Sequence, residues 1–86
     1  MFSFSYYIIC RSLTYAQRTA AVLERAGITC AILRTPKVLA GEGCSHSVRI
    51  AQRKLTAALE VLAGAGLTPK RVCLTTDGEH FQEVAL

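Results

Sequence analysis

Cys44 is the residue of this chain whose type and surroundings most readily support chemistry. It lies in "TPKVLAGEGCSHSVRI", residues 35–50, between Gly43 and the pair Ser45-His46, with Arg34 and Lys37 nearby in sequence. A cysteine is a nucleophile only as the thiolate, and an ordinary pKa of about 8.5 leaves a few per cent ionised at neutral pH. Lowering that value by about 1.5 units takes roughly 2 kcal/mol of differential stabilisation. One or two charge-assisted hydrogen bonds, at about 1.5–3 kcal/mol each, would supply it. Gly41 and Gly43 let the backbone turn its N–H groups inward as a small anion-binding nest. The plainer alternative is that Cys44 is a small residue tolerated in a loop and put to no chemical use.

Other side chains offer less. His46 is in phase with Val48 and Ile50 and reads as a partly buried strand residue, not as a base. Cys44 and His46 have no evident third and fourth ligand, so no metal site is expected. The cysteines at 10, 30, 44 and 73 form no CxxC pair, which argues against a zinc ribbon or a thioredoxin-like motif. Cys30 and Cys73 fall inside apolar strand-like runs and read as buried free thiols. Paired carboxylates, a Ser-His-Asp set and a Gly-rich phosphate loop are all missing from the sequence. No cofactor is expected, and a conventional turnover enzyme is not indicated.

The elements that must position Cys44 follow from periodicity. "FSFSYYIIC" (2–10) is aromatic and β-branched with apolar residues on both faces, which predicts a central strand. Ser12 or Thr14 can cap a helix whose inward stripe is Ala16, Ala20, Leu23 and Ala26, ended by Gly27. "TCAILR" (29–34) predicts a second strand, stopped at Thr35-Pro36 because proline lacks the ladder donor. "CSHSVRI" alternates as a third. "AQRKLTAALEVLAGAG" predicts a weakly capped helix with Leu55, Ala58, Leu59 and Leu62 inward. "KRVCLT" (70–75) predicts a fourth strand. Asp77-Gly78 signals a turn, and residues 77–86 are left as a tail without assignment.

"LERAGIT" (23–29) and "LAGAGLT" (62–68) share a Leu-x-x-Ala-Gly-apolar-Thr frame, so the strand–helix–strand unit is repeated. Two such split units are the pattern of an α+β, ferredoxin-like βαββαβ sandwich. The expectation is therefore one domain over residues 1–76. A four-stranded antiparallel sheet in order 4-1-3-2 would carry two helices on one face. In that topology the end of strand 1 (Cys10), the end of strand 2 (Arg34, then Lys37) and the start of strand 4 (Lys70, Arg71) reach the rim where Cys44 begins strand 3. The N-terminus of the first helix, with its free N–H groups, arrives there too.

Composition is consistent with this. At 86 residues, 51% hydrophobic and 19% charged, the chain has room for one folded core and is not of a disordered type. Its ten Lys/Arg and six Asp/Glu give a net charge of +4, but the cations are scattered. Strand 3 offers no aromatic stacking platform, so nucleic acid is not an expected partner. The opening apolar run is too short to span a bilayer and lacks a basic leader region, so no membrane role is expected and a cytoplasmic location is the default.

The stretch 35–50 resembles the Se/S (selenium/sulfur) carrier-like family. Those proteins have a helix ending in "AGI", here Ala26, Gly27 and Ile28, then a Thr-Pro-basic loop, here Thr35, Pro36 and Lys37. A Gly-Cys element follows, here Gly43 and Cys44, and then an apolar-Ser-apolar-Arg-apolar strand matched at Ser47, Val48, Arg49 and Ile50. Ser45 stands where that family places a glycine, and the loop before Cys44 is about one residue longer. The resemblance implies that Cys44 carries a persulfide or the selenium equivalent. A cysteine desulfurase-type donor would supply it, and an acceptor protein would receive it. Arg34, Lys37, Gly43 and Arg71 would then bind the anion and Cys10 would be a candidate resolving thiol, in a carrier more than a turnover enzyme. The alternative is a non-catalytic binding, regulatory or homodimerisation module in which Cys44 is not chemically used. The two-sided apolar character of strand 1 favours something covering the open sheet face.

Overall fold

The structure, a computed structural model, describes residues 4–37, 39, 46–69, 71–76 and 80–84. The elements are β1 (Ser5–Cys10), α1 (Leu13–Arg25), β2 (Cys30–Arg34), β3 (His46–Ala51), α2 (Leu55–Gly64), β4 (Arg71–Thr75) and β5 (Phe81–Glu83). The fold is α+β, with an antiparallel sheet in the order β2-β3-β1-β4-β5. The expected four-stranded sheet is thus met only in part. The first four strands take the 4-1-3-2 order, but residues from the unassigned tail add a fifth outside β4. The tail gave no strand signal because β5 is three residues long, shorter than any alternation that periodicity can register.

β1 is central because both of its faces are apolar. Ile8 and Cys10 point to the helices, where they join Ala16, Ala20, Leu23, Val48, Ile50, Ala58, Leu62 and Val72 in the main core. Tyr7 and Ile9 point the other way and form a second cluster with Cys73, Leu39, Leu33 and Phe81. Each fully buried aliphatic side chain contributes about 1.5–3 kcal/mol, so the main core dominates stability. The cover expected for the open face comes from the chain itself. Leu39 from the β2–β3 loop and Phe81 from β5 both lie on it, and the Phe81 ring meets Tyr7 edge-on at 5.2 Å and 74°.

In α1 the buried positions are Ala16, Thr19, Ala20 and Leu23. Ala26 is instead the exposed C-cap residue, one position past the point where a helical stripe can still face inward. Ser12 is the N-cap, its hydroxyl accepting the Tyr15 N–H at 3.1 Å. Helix α2 has no side-chain cap and starts instead through a 3-10 turn over Gln52–Lys54.

The repeated Leu-x-x-Ala-Gly-apolar frame has a physical meaning. Gly27 and Gly66 both adopt left-handed backbone, at φ 81° and 73°. The Ile28 N–H reaches back to the Leu23 carbonyl at 2.9 Å, and the Leu67 N–H to the Leu62 carbonyl at 2.9 Å. Both ends are Schellman caps, and the residue after each glycine, Ile28 or Leu67, is buried to seal it.

Candidate functional site

The β2–β3 loop is held at three described points. At its start, the hydroxyls of Thr35 and Ser47 hydrogen-bond at 2.8 Å, with Ser47 fully buried on the open face. Next, the Leu39 N–H donates to the Pro36 carbonyl at 2.9 Å, closing a turn through the exposed Lys37. Then Leu39 buries its side chain against Tyr7, Ile9 and Cys73, leaving it 8% exposed. The Leu39 carbonyl accepts a hydrogen bond from Nη2 of Arg71. The same guanidinium uses Nη1 to meet Glu83 of β5 at 3.5 Å. Arg71 therefore joins β4, β5 and the loop. Gly43, Cys44 and Lys70, all expected at this rim, lie outside the described residues.

The ladders place the other expected residues. Cys10 is the cross-strand partner of His46, and His46 is that of Arg34. These three form one row on the helix side, since cross-strand neighbours point to the same face. Arg71 pairs with Ile9, which pairs with Ser47, so it belongs to the open side. The two arginines sit at the same end of the sheet but on opposite faces. Three strand spacings of about 4.8 Å separate them. They bracket the rim instead of forming one cluster, and Arg71 already has two partners. One further cation arrives from Arg11, whose guanidinium lies over the Tyr15 ring at 5.3 Å. Tyr15 in turn ties the start of α1 to the approach to β4, its hydroxyl accepting the Thr68 N–H at 2.8 Å and donating to the Thr68 carbonyl at 3.0 Å.

The three described cysteines are free and are all disfavoured as thiolates. Burial pushes the Cys10 thiol up, offset in part by its contact with the Thr19 hydroxyl. Its Sγ lies 3.5 Å from the Ile8 carbonyl and 4.0 Å from Thr19 Oγ1, inside the main core at 1% exposure. That placement argues against the resolving role expected of Cys10, because a resolving thiol must reach its partner. Cys30 is raised by burial and then by the Glu24 carboxylate, with Sγ 3.8 Å from the Ala20 carbonyl. Cys73 is raised by burial; Arg71 lowers it and Glu83 raises it.

The residues missed in the sequence are those that hold the loop, not those expected to react. Leu39, Phe81 and Glu83 had no motif to mark them. The one available signal was the apolar pair Val38-Leu39 inside an otherwise small and polar loop. Among the described residues no group of three His, Cys, Asp or Glu side chains is placed to hold a metal ion. No described helix is long and apolar enough to cross a membrane. Two open clefts lie at the far end of the sheet. One of about 370 Å³ is lined by Ser5, Thr29, Cys30 and Arg49 among others, and one of about 260 Å³ by Phe4, His80 and Phe81 among others.

No curated protein and no solved structure matches this chain. The family model described as "Putative Se/S carrier protein-like" matches residues 5–74, from the first residue of β1 to the next-to-last of β4. The match covers the larger part of the chain, helices and central strands included, and the protein belongs to that family.

Proposed function

We propose that the protein is a small sulfur or selenium carrier whose working group is Cys44. The observation that supports this assignment is the disposition of the other thiols. Burial raises Cys10, Cys30 and Cys73 above the ordinary value, and Cys10 and Cys73 are also enclosed in the fold, which supports Cys44 over them as the reacting thiol. Cys44 precedes His46, the first residue of β3, by two positions, and two residues of chain span at most about 7 Å. The cation at that strand end in the ladder is Arg34, the cross-strand partner of His46, and Lys37 follows it by three positions in sequence. Their positive charge favours the thiolate over the thiol.

The transfer step needs no cofactor. The Cys44 thiolate attacks the outer sulfur of a cysteine persulfide on a donor protein. A bond forms between Cys44 Sγ and that sulfur as the donor's S–S bond breaks, and the electron pair leaves with the donor thiolate. Delivery to an acceptor is the same exchange in reverse, and selenium in place of the outer sulfur follows the same course. A desulfurase-type donor and an acceptor protein are the partners this chemistry requires.

The test is intact-protein and peptide mass spectrometry after incubation with a cysteine desulfurase and cysteine. The expected product gains the mass of one sulfur on the peptide containing Cys44, and Cys44→Ser does not label. Equal labelling of Cys44→Ser, or none of the wild type, would return Cys44 to a structural role.

A further inference from the structure

We infer that Arg71 is a positioning residue which, with Glu83 and Phe81 of β5, holds Leu39, in the segment leading to Cys44, against the open face of the sheet. The inference rests on the carrier reading for its meaning, since Leu39 stands five residues before Cys44 in sequence. Arg71 was expected to stabilise the anion directly. Instead its fork is divided between the Leu39 carbonyl and the Glu83 carboxylate, and its side chain lies on the open face with Ile9 and Ser47. A planar guanidinium can hold two acceptors in fixed directions, which an ammonium on a flexible stem cannot do as well. Phe81 adds an apolar wall. It packs against Tyr7 and belongs to the same cluster that buries Leu39. β5 is hydrogen-bonded to β4, and the Val84 N–H donates to the Val72 carbonyl at 2.8 Å just beyond it. The strand that carries the brace thus has its own anchorage.

β5 begins at Phe81, beyond the family match that ends at residue 74. The brace thus joins Arg71 and Leu39, inside the matched span, to Phe81 and Glu83, outside it. It fixes Leu39, five residues before Cys44, while Thr35–Ser47 fixes the start of the loop. Holding both points fixes where the chain leaves β2 and where it stands at Leu39.

The test uses the full-length chain and reads hydrogen exchange at the Leu39 amide, with the Ile8 and Val48 amides as the gauge that the sheet is intact. Arg71→Gln and Phe81→Ala should each speed Leu39 exchange by about tenfold or more, the loss expected for a charge-assisted bond or a buried contact. Glu83→Gln, at an exposed position that cannot compromise folding, should speed it about two- to fivefold. Arg71→Lys keeps the charge but should not restore protection, and should move the pH midpoint of Cys44 alkylation as far as Phe81→Ala does. Leu39 exchange unchanged in Phe81→Ala and Glu83→Gln would overturn the brace. So would an alkylation midpoint preserved by Arg71→Lys but shifted by Arg71→Gln, which would mark a direct anion contact. The two readings fail separately. Persulfide loading of the wild type with Leu39 insensitive to these variants removes the brace and keeps the carrier. A responsive Leu39 in a wild type that never loads keeps the brace and removes the carrier.

Discussion

The hydroxyls of Thr35 and Ser47 meet at 2.8 Å under the start of the loop that leads to Cys44, and Ser47 has no exposure to solvent. A buried hydroxyl that loses its partner carries its full desolvation cost. Thr35→Val should therefore destabilise the fold by about 1–3 kcal/mol, and Thr35→Val with Ser47→Ala should be less destabilised than the sum of the two single variants. Urea unfolding of the four proteins in a double-mutant cycle measures this coupling.

The cysteines make a second prediction, about rate. Native protein at neutral pH should consume one equivalent of iodoacetamide quickly, at Cys44, and the others slowly. Cys10 and Cys73 are 1% exposed and held in their protonated form, so they should label only through opening of the fold. In denaturant all four cysteines should react alike. Rapid native labelling of Cys10 would contradict its place in the core.

A pH dependence follows from the same shifts. A thiol raised in the folded state binds its proton more tightly there than in the unfolded chain. The stability it contributes is complete below the unfolded value of about 8.5 and is lost as pH rises from there through the folded value. Stability should thus fall above about pH 8.5, and Cys10→Ser should fall less steeply. The serine hydroxyl can use the Ile8 carbonyl that Cys10 meets, so the variant should fold. Chemical denaturation at a series of pH values gives the two slopes.

The helix ends make a fourth prediction. Gly27 and Gly66 have positive φ, yet a Cβ at either would meet nothing within 4 Å. The cost of Gly27→Ala or Gly66→Ala is then one of backbone conformation alone, about 1–2 kcal/mol each. The two should add, since the caps share no partner. Thermal unfolding of the single and double variants decides it.

The core scaffold was legible in the sequence because it depends on periodic signals. β1 showed apolar residues on both faces, α1 showed its stripe, and the Ala-Gly-apolar frames showed the two caps. Strand order placed the ends of β1 and β2 at the rim where β3 begins, but not the cross-strand row that Cys10, His46 and Arg34 form there. What was not legible depends on single side chains reaching across chain distance. Leu39 and Arg71 are joined by a hydrogen bond although 32 positions apart, and no spacing rule encodes such a pair. The buried depth of Cys10 was hidden for a related reason. Position at a strand end suggests access, but the side chain points down onto Thr19 of α1. His46 as an in-phase strand residue agreed with the ladder, whereas treating the cations as one cluster ignored which face each would occupy.

The twin helix caps bear on how the two halves of the chain are joined. Each half, strand–helix–strand, closes its own helix with the same Gly-apolar device, and after its second strand each lays one apolar side chain, Leu39 or Phe81, back on the open face. The two strand–helix–strand units are alike in this device, and Cys44 stands in the sequence between them. That connecting segment is tied to both halves, by the Thr35–Ser47 hydroxyl pair and by Leu39 packed on Tyr7 and Cys73. In a chain this short, the connection between the two units thus does more than link them, since it contributes a side chain to the packing of the open face.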